Sequence, residues 1–256
     1  MRMTDIERRE MILQQLRLNY SVKVAELSKL LYIGEATIRR DLGKLEKGGY
    51  CKRVYGGAVR IDAVDRELPA DVRQADNLDA KIRICAEAAK LIADGALISM
   101  DSSTTVQFLG DYLPRFHGLS VLTQGQKLLE KLQYAPVNVY CAGGLLQKTT
   151  QSYSGVFTRN FFSSFYADLL FFSCKGLSME HGLSWVYEEE GSLRQIMMKN
   201  AKTKILLCDH TKFDSVSSYK QDCFHELDYL ITDRAPSEAW QQFLAAHHIT
   251  LRYPEE

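Results

Sequence analysis

Residues 35–58 read EATIRRDLGKLEKGGYCKRVYGGA, and this stretch decides how the chain is organised. At about 100° per residue, Ile38, Leu42 and Leu45 fall on one narrow stripe. Ala36, Arg40, Gly43 and Lys47 fall on the opposite side. Thr37 and Lys44 flank one edge of that side, and Arg39 lies nearer the other. The apolar stripe suits packing on a small core, and the opposite face suits entry into a groove. Gly34 is an acceptable N-cap, and Gly48-Gly49 supplies a left-handed stop. Beyond the stop, Tyr50-Cys51-Lys52-Arg53-Val54-Tyr55 reads as a strand, Gly56-Gly57 turns, and Ala58-Val59-Arg60 returns. A helix with adjacent arginines followed by a basic, aromatic hairpin is the pattern of a DNA-reading helix with a β-wing. Taken alone, the helix also fits an amphipathic surface helix whose charges are simply solvated.

The neighbouring sequence weighs against that plainer reading. Thr4-x-x-Glu7 is a capping box that opens a helix carrying Ile6, Ile12, Leu13 and Leu16. Asn19-Tyr20-Ser21 breaks it. Val24, Leu27, Leu30 and Leu31 make a second short helix, and only Tyr32-Ile33-Gly34 separates it from the third. Three short helices with a tight turn between the last two form a helix-turn-helix. Residues 1–60 are therefore expected to be a winged helix-turn-helix domain bound to double-stranded DNA. Its expected contacts are Ala36, Thr37, Arg39, Arg40, Lys44, Lys52, Arg53 and Tyr55. Charge agrees. The chain has 32 Lys/Arg and 32 Asp/Glu, yet residues 1–60 hold 13 Lys/Arg against 7 Asp/Glu, a balance of +6 that leaves −6 for the rest. A basic module on an acidic body focuses DNA contact at one end. A single module binds too weakly to select one genomic site, so a homodimer or higher oligomer is expected.

Other classes are disfavoured. No stretch approaches the ~18–20 apolar residues of a membrane span, and charges from Arg2 to Arg9 do not fit a signal peptide. The six cysteines are scattered without CxxC or metal spacing, and are expected to be buried, inert thiols. His210, His225, His247 and His248 show no metal spacing either. A cytoplasmic protein without metal or cofactor is expected.

Residues 61–80, IDAVDRELPADVRQADNLDA, lack a sustained apolar period and read as a linker with a short helical turn. From 81 to 256 helices and strands alternate. Helices are expected at 81–93, from the loop 101–105 to about 113, at 125–132, 157–165 and 190–200, and from 237. Strands are expected at 96–100, 119–122, 137–141, 169–173, 204–208, 229–231 and 248–253. This alternation implies α/β architecture, a mostly parallel, Rossmann-like sheet covered on both faces.

Ligands on such sheets bind beyond the carboxyl ends of the strands. Asp101, Ser102, Ser103, Thr104 and Thr105 follow a buried strand and open a helix, where hydroxyls and free N–H groups suit a phosphate. Ser and Thr at such a turn equally serve as helix caps. Lys212, three residues after Asp209, can reach an anion as a point charge, and Lys175 follows a core strand. Glu190, with Glu188 and Glu189, suits sugar hydroxyls or simply the start of a helix.

The run Thr37-Ile38-Arg39-Arg40-Asp41-Leu42, then Leu45-Glu46, then Arg53-Val54-Tyr55-Gly56-Gly57-Ala58, resembles the DeoR family of bacterial transcriptional regulators. Tyr55 stands where the family usually has His, and Gly34 where it usually has a Ser cap. In the body, residues 101–105 resemble the family's D-x-G-T-T loop, with Ser103 in place of its Gly. Gln124 (usually Asn), Gly143-Gly144, Glu190 with Arg194 (usually Lys), and Asp209 with Lys212-Phe213 are similar to the family pattern, which covers about residues 4–235. The resemblance implies an isomerase-type effector domain and no catalytic residues. It implies a repressor of carbohydrate-metabolism genes controlled by a sugar phosphate. The effector residues it implies are Asp101, Ser102, Ser103, Thr104, Thr105, Gly144, Lys175, Glu190 and Lys212. The alternative is a sugar-phosphate isomerase-type enzyme with an accessory DNA module. Asp101, Asp168, Glu190 and Asp209 are candidate acids or bases for it, but no spacing singles out a pair.

Overall fold

A computed structural model describes residues 4–19, 21–48, 50–60 and 70–255. The chain divides into two compact units, residues 1–76 and 77–256.

The first unit begins with α1 (Asp5–Asn19). Its expected cap forms reciprocally: Thr4 N donates to Glu7 Oε2 at 2.8 Å, and Glu7 N donates to Thr4 Oγ1 at 3.3 Å. β1 (Ser21–Lys23), α2 (Val24–Leu31) and α3 (Glu35–Lys47) follow. The turn between α2 and α3 starts at Tyr32, which caps α2 in the left-handed conformation at φ 53°. β2 (Cys51–Val54) and β3 (Gly57–Arg60) form the wing hairpin. The core joins Ile12 and Leu16 of α1, Leu27 and Leu31 of α2, and Ile38, Leu42 and Leu45 of α3. The segment read only as a break after α1 is in fact strand β1, pairing antiparallel with β3. The wing sheet thus has three strands in the order β1-β3-β2. Gly57 permits this, because a Cβ there would lie 2.0 Å from Val22 O. Of the expected linker, residues 61–69 lie outside the described residues, while Ala70–Ala75 is helix α4.

The second unit opens with α5 (Leu78–Ala89), β4 (Leu97–Met100), β5 (Ser120–Thr123), α6 (Gln126–Leu132) and β6 (Asn138–Cys141). β7 (Leu145–Gln147) and β8 (Ser152–Ser154) make a hairpin before α7 (Val156–Ser163) and β9 (Ala167–Phe172). Then come β10 (Gly176–Ser178), β11 (Gly182–Trp185), α8 (Glu188–Lys199), β12 (Ala201–Leu207) and β13 (Tyr219–Gln221). β14 (Tyr229–Ile231), α9 (Glu238–Ala246) and β15 (Thr250–Arg252) complete it. Seven strands form one sheet, ordered β15-β14-β12-β9-β4-β5-β6, and every pairing in it is parallel. Alternate residues feed opposite faces. Phe171, Ile205 and Ile231 pack with α5 and α6, and Leu170, Phe172, Leu206 and Leu230 lie on the other face with α7, α8 and α9.

Three expectations change. The helix expected after residue 105 is two short 3-10 segments, Val106–Asp111 and Leu113–Arg115. Gly110 and Pro114 are poor α-helix interior residues, and a Cβ on Gly110 would meet the Leu128 and Lys131 side chains of α6. A second, antiparallel sheet, β10-β11-β13, was not foreseen. Cys141 is exposed on β6, whereas the other five cysteines are buried. Burial pushes Cys51 up to about 11 and Cys174 and Cys223 up to about 12, which keeps them as thiols. Among the described residues, no helix is long and apolar enough to cross a membrane, and no cluster of three or more His, Cys, Asp or Glu could hold a metal.

Candidate functional site

The first unit offers a basic face. Ile38, Leu42 and Leu45 hold α3 on the core, which turns Ala36, Arg39, Arg40, Lys44 and Lys47 outward and leaves Thr37 half-buried. Arg39 is bonded to Glu35 one turn earlier at 2.6 Å, and Lys44 Nζ lies 4.0 Å from Asp5. Arg53 N donates to Glu46 Oε1 at 2.7 Å, which joins β2 to the end of α3. Gly43 leaves room for the Arg53 guanidinium, 3.8 Å from where a Cβ would stand. Lys52 is exposed on β2, and Tyr55 is exposed beside Gly56, whose φ of 75° makes the turn. Sequence reasoning missed what orients this face. Asp41, inside the quoted run, points inward, fully buried, and accepts from the buried Arg8 of α1. Arg8 also donates to Asp5 at 3.0 Å, and that bond is the main reason Asp5 stays below its ordinary carboxylate value.

The second unit offers a cavity of about 210 Å³ at the carboxyl ends of β4 and β5. That is below the ~300–1,000 Å³ of common ligand pockets, so its guest is small. Ser102 and Gln124 come from the strand ends. Gln147, Thr150, Ser152 and Ser154 come from the β7–β8 hairpin, and Tyr187, Glu190, Leu193 and Arg194 from the start of α8. Arg194 is a buried charge in this wall. Its Nε and Nη2 donate to Asp101 Oδ2 at 3.1 and 3.0 Å, and its Nη1 donates to Glu190 O at 3.0 Å. Asp101, fully buried, also accepts from Ser103 N at 2.9 Å and Ser173 N at 3.1 Å. One carboxylate thus ties the ends of β4 and β9 to α8 and fixes the guanidinium. The hairpin adds hydroxyls and amides: Thr150 and Ser152 hydroxyls lie 2.8 Å apart, and Gln147 Nε2 donates to Ser154 Oγ at 2.9 Å.

Of the expected effector residues, Ser102 and Glu190 line this cavity, and Asp101 stands behind it through Arg194. Ser103 Oγ accepts from Val106 N at 3.2 Å and so caps the 3-10 turn. Thr104 and Thr105 are buried, their carbonyls accepting from the Gln107 amide and the Cys85 thiol. Gly144, at φ 149°, brings the chain against β8, where a Cβ would lie 2.3 Å from Ser154 O. Lys175 follows β9, and its N–H donates to Ser184 O at 2.8 Å. Lys212 follows β12 with Nζ 3.8 Å from Asp209 Oδ2. The α-helix expected behind residues 101–105 is absent, so any anion there relies on local donors and on Arg194. Gln124 and Arg194 match the family pattern in sequence but are not among the effector residues it implies, and neither are the hairpin residues and Tyr187. Arg194 lies one turn after Glu190 on the same face of α8, which was a usable signal; strands of three residues give none.

A second polar cluster closes the ends of β12 and β14. Asp209 Oδ1 accepts from Thr211 N at 2.9 Å and from Asn77 Nδ2 at 3.3 Å. Burial alone raises the Asp209 pKa, but Lys212, the Thr211 hydroxyl and N–H, and Lys81 together hold it below 3.8. His210 N and Nδ1 lie 2.7 and 2.8 Å from the Asp233 carboxylate.

Residues 8–64 match the DeoR-like helix-turn-helix domain family, and residues 76–234 match the DeoR C-terminal sensor domain family. The HTH-type transcriptional regulator GolR of Listeria innocua is 32% identical over 238 residues, covering 93% of this chain and 94% of that protein. The HTH-type transcriptional repressor GlcR of Bacillus subtilis is 32% identical over 251 residues, covering 98% and 96%. Among solved structures, a ribose 5-phosphate isomerase from Plasmodium falciparum aligns with 53% of this chain and 52% of its own at 8% identity and a TM-score of 0.39.

Proposed function

The chain belongs to the DeoR family of transcriptional regulators, and on that premise we propose that it represses carbohydrate-metabolism genes under the control of a phosphorylated sugar. It is a DNA-binding regulator and not an enzyme, as its curated relatives are. It works in the cytoplasm as a homodimer or a larger homo-oligomer, because helix-turn-helix readers occupy two half-sites of an operator. Ala36, Thr37 and Arg40 meet base edges, while Arg39, Lys44, Lys52, Arg53 and Tyr55 hold the phosphate backbone. In the sensor, the phosphate sits at the turn of residues 101–105, entered from Ser102 and facing Arg194. Glu190, Gln124 and Ser152 take the sugar hydroxyls. Lys175 and Lys212, at the ends of β9 and β12, add positive potential along the same rim.

The observation that carries this reading is the small cavity walled on one side by α8, with the carboxylate-fixed Arg194 guanidinium beside Glu190, and on the other by the hydroxyls and amides of Ser102, Gln124 and the β7–β8 hairpin. An anion and a polyol in one small molecule match that pair of walls. The test is thermal melting of the full chain with pentose and hexose phosphates, the free sugars and inorganic phosphate. A sugar phosphate at about 100 times its Kd stabilises the sensor by ~2.7 kcal/mol, and its free sugar at the same concentration does not. The same compound releases the protein from DNA taken from the promoter beside its own gene. A chain that binds that DNA and shows no melting shift with any phosphate sinks the sensor half of the reading.

A further inference from the structure

One exposed apolar patch of the second unit lies at one end of its seven-stranded sheet. β6 is the edge strand there, paired with β5 and with no other strand among the described residues. It reads Asn138-Val139-Tyr140-Cys141, without charge, proline or glycine, and three of its four residues are exposed. The Tyr140 ring lies 5.7 Å from Phe165, and Phe165 lies 4.9 Å from Phe161. One turn earlier on α7, Phe157 is 80% exposed; Leu145, just beyond β6, is 68% exposed, and Tyr140 is 45% exposed. Thr158 Oγ1 donates to Gly143 O at 2.8 Å, which holds the start of α7 against the chain between β6 and β7. These residues therefore share one patch. Arg159, the charged residue of α7, is paired with Glu189 at 3.1 Å.

Open edge strands are normally blunted by charge, proline or a bulge. The opposite edge, β15, is blunted: it carries Arg252 over the Tyr229 ring and runs into Pro254 and Glu255. β6 has Pro136 two residues before it but, unlike β15, carries no charged residue on the strand.

We propose that this edge is where two copies of the chain join. β6 pairs antiparallel with β6 of the second copy about a two-fold axis, and Tyr140, Leu145 and Phe157 pack across it. A second copy fits for three reasons. An uncharged strand with an apolar flank is complementary to itself, and antiparallel pairing of identical strands closes with two-fold symmetry. Aromatic side chains bury ~150–250 Å² each, so the exposed parts of Tyr140 and Phe157, with Leu145 and the strand, supply a few hundred Å² towards the ~800 Å² per partner of a standard interface. A two-fold dimer is also what two operator half-sites require.

The test uses the full chain in sedimentation velocity and with a short bis-maleimide cross-linker. Cys141 is the exposed cysteine and lies on β6, so the two-fold axis brings both Cys141 thiols within reach of one linker. The wild type sediments as a dimer or larger multiple at tens of micromolar and cross-links; Cys141→Ser sediments alike and does not cross-link. Tyr140→Glu and Phe157→Glu, with circular dichroism unchanged, weaken association by roughly 30-fold or more. Tyr253→Glu, beside β15, leaves it intact. A monomeric wild type overturns the proposal, as does cross-linking that survives Cys141→Ser. Equally fatal are full assembly in both β6-face variants or dissociation by Tyr253→Glu alone, the latter moving the joint to the other edge. Dissociated variants keep the cavity, so their melting shift with a sugar phosphate tests the sensor reading separately.

Discussion

Arg40 and Asp41 are neighbours with opposite tasks. On α3 a step of about 100° sends Arg40 out and Asp41 in, where it meets Arg8. Removing one partner of a buried ion pair leaves the other uncompensated, at about 3–5 kcal/mol. Asp41→Ala should therefore lower the stability of the DNA-binding unit by roughly that amount in urea or thermal melts. Arg8→Met combined with Asp41→Leu should recover much of the loss, because no charge is then stranded. A single-variant loss below about 1 kcal/mol would show that the pair is solvated rather than structural. The outward residues divide in another way. Arg40→Ala should cost about 1–3 kcal/mol and relax base preference at one operator position. Lys52→Ala should weaken all sequences alike and lower the salt slope by about one. Binding measured on operator variants at several salt concentrations separates the two, and equal loss of specificity from both would reject the division.

At the scale of elements, the wing depends on one close approach. Gly57 lies where β3 crosses β1, and a methyl there would stand 2.0 Å from a backbone oxygen. Backbone cannot yield as a flexible side chain can, so Gly57→Ala should cost at least the ~1–3 kcal/mol of ordinary overpacking. Operator affinity should fall with it while sensor melting stays unchanged; a normal wing in that variant would mean β1 can move away. This strand marks how far elements could be read from sequence. α3 and the hairpin were legible because thirteen residues show a helical period and Gly-Gly marks each end. The parallel sheet was legible from runs such as Leu170-Phe171-Phe172, buried on both faces. β1, β7, β8, β10 and β13 have three residues each, too few for any period, and β1 and β13 also pair with partners distant in sequence. The candidate cavity followed the same division. Ser102 and Glu190 stand at a strand end and a helix start, places where topology directs attention. The Asp101–Arg194 pair spans 93 positions and is visible only once β4 and α8 are packed together.

For the whole molecule, the basic and acidic halves of a neutral chain correspond to a reader and a sensor, and repression requires each to affect the other. The sensor has elements that can carry such an effect. Asp101 links β4 and β9 to α8 and to the cavity through Arg194, and Asn77, where the sensor unit begins, is bonded to Asp209 at the end of β12. A ligand that tightens the strand ends therefore acts on the segment by which the sensor is entered. Coupling between two sites is typically about 1–3 kcal/mol, or roughly 5–150-fold in affinity, and linkage makes it reciprocal. The sugar phosphate should weaken operator binding by the same factor by which operator DNA weakens sugar-phosphate binding. Titrations of each ligand with and without saturating amounts of the other measure both factors, and unequal factors would show that the two ligands do not share one two-state equilibrium. Ser102→Asp tests the seat itself. Thr104 is buried, so a charge there would disrupt the turn, whereas Ser102 is half-exposed in the cavity wall. A carboxylate at position 102 should repel the phosphate and abolish release by the effector, while operator affinity without effector stays at the wild-type value. Release at normal effector concentrations in that variant would place the phosphate elsewhere along the strand ends, with Lys212 and Lys175 as the next residues to change.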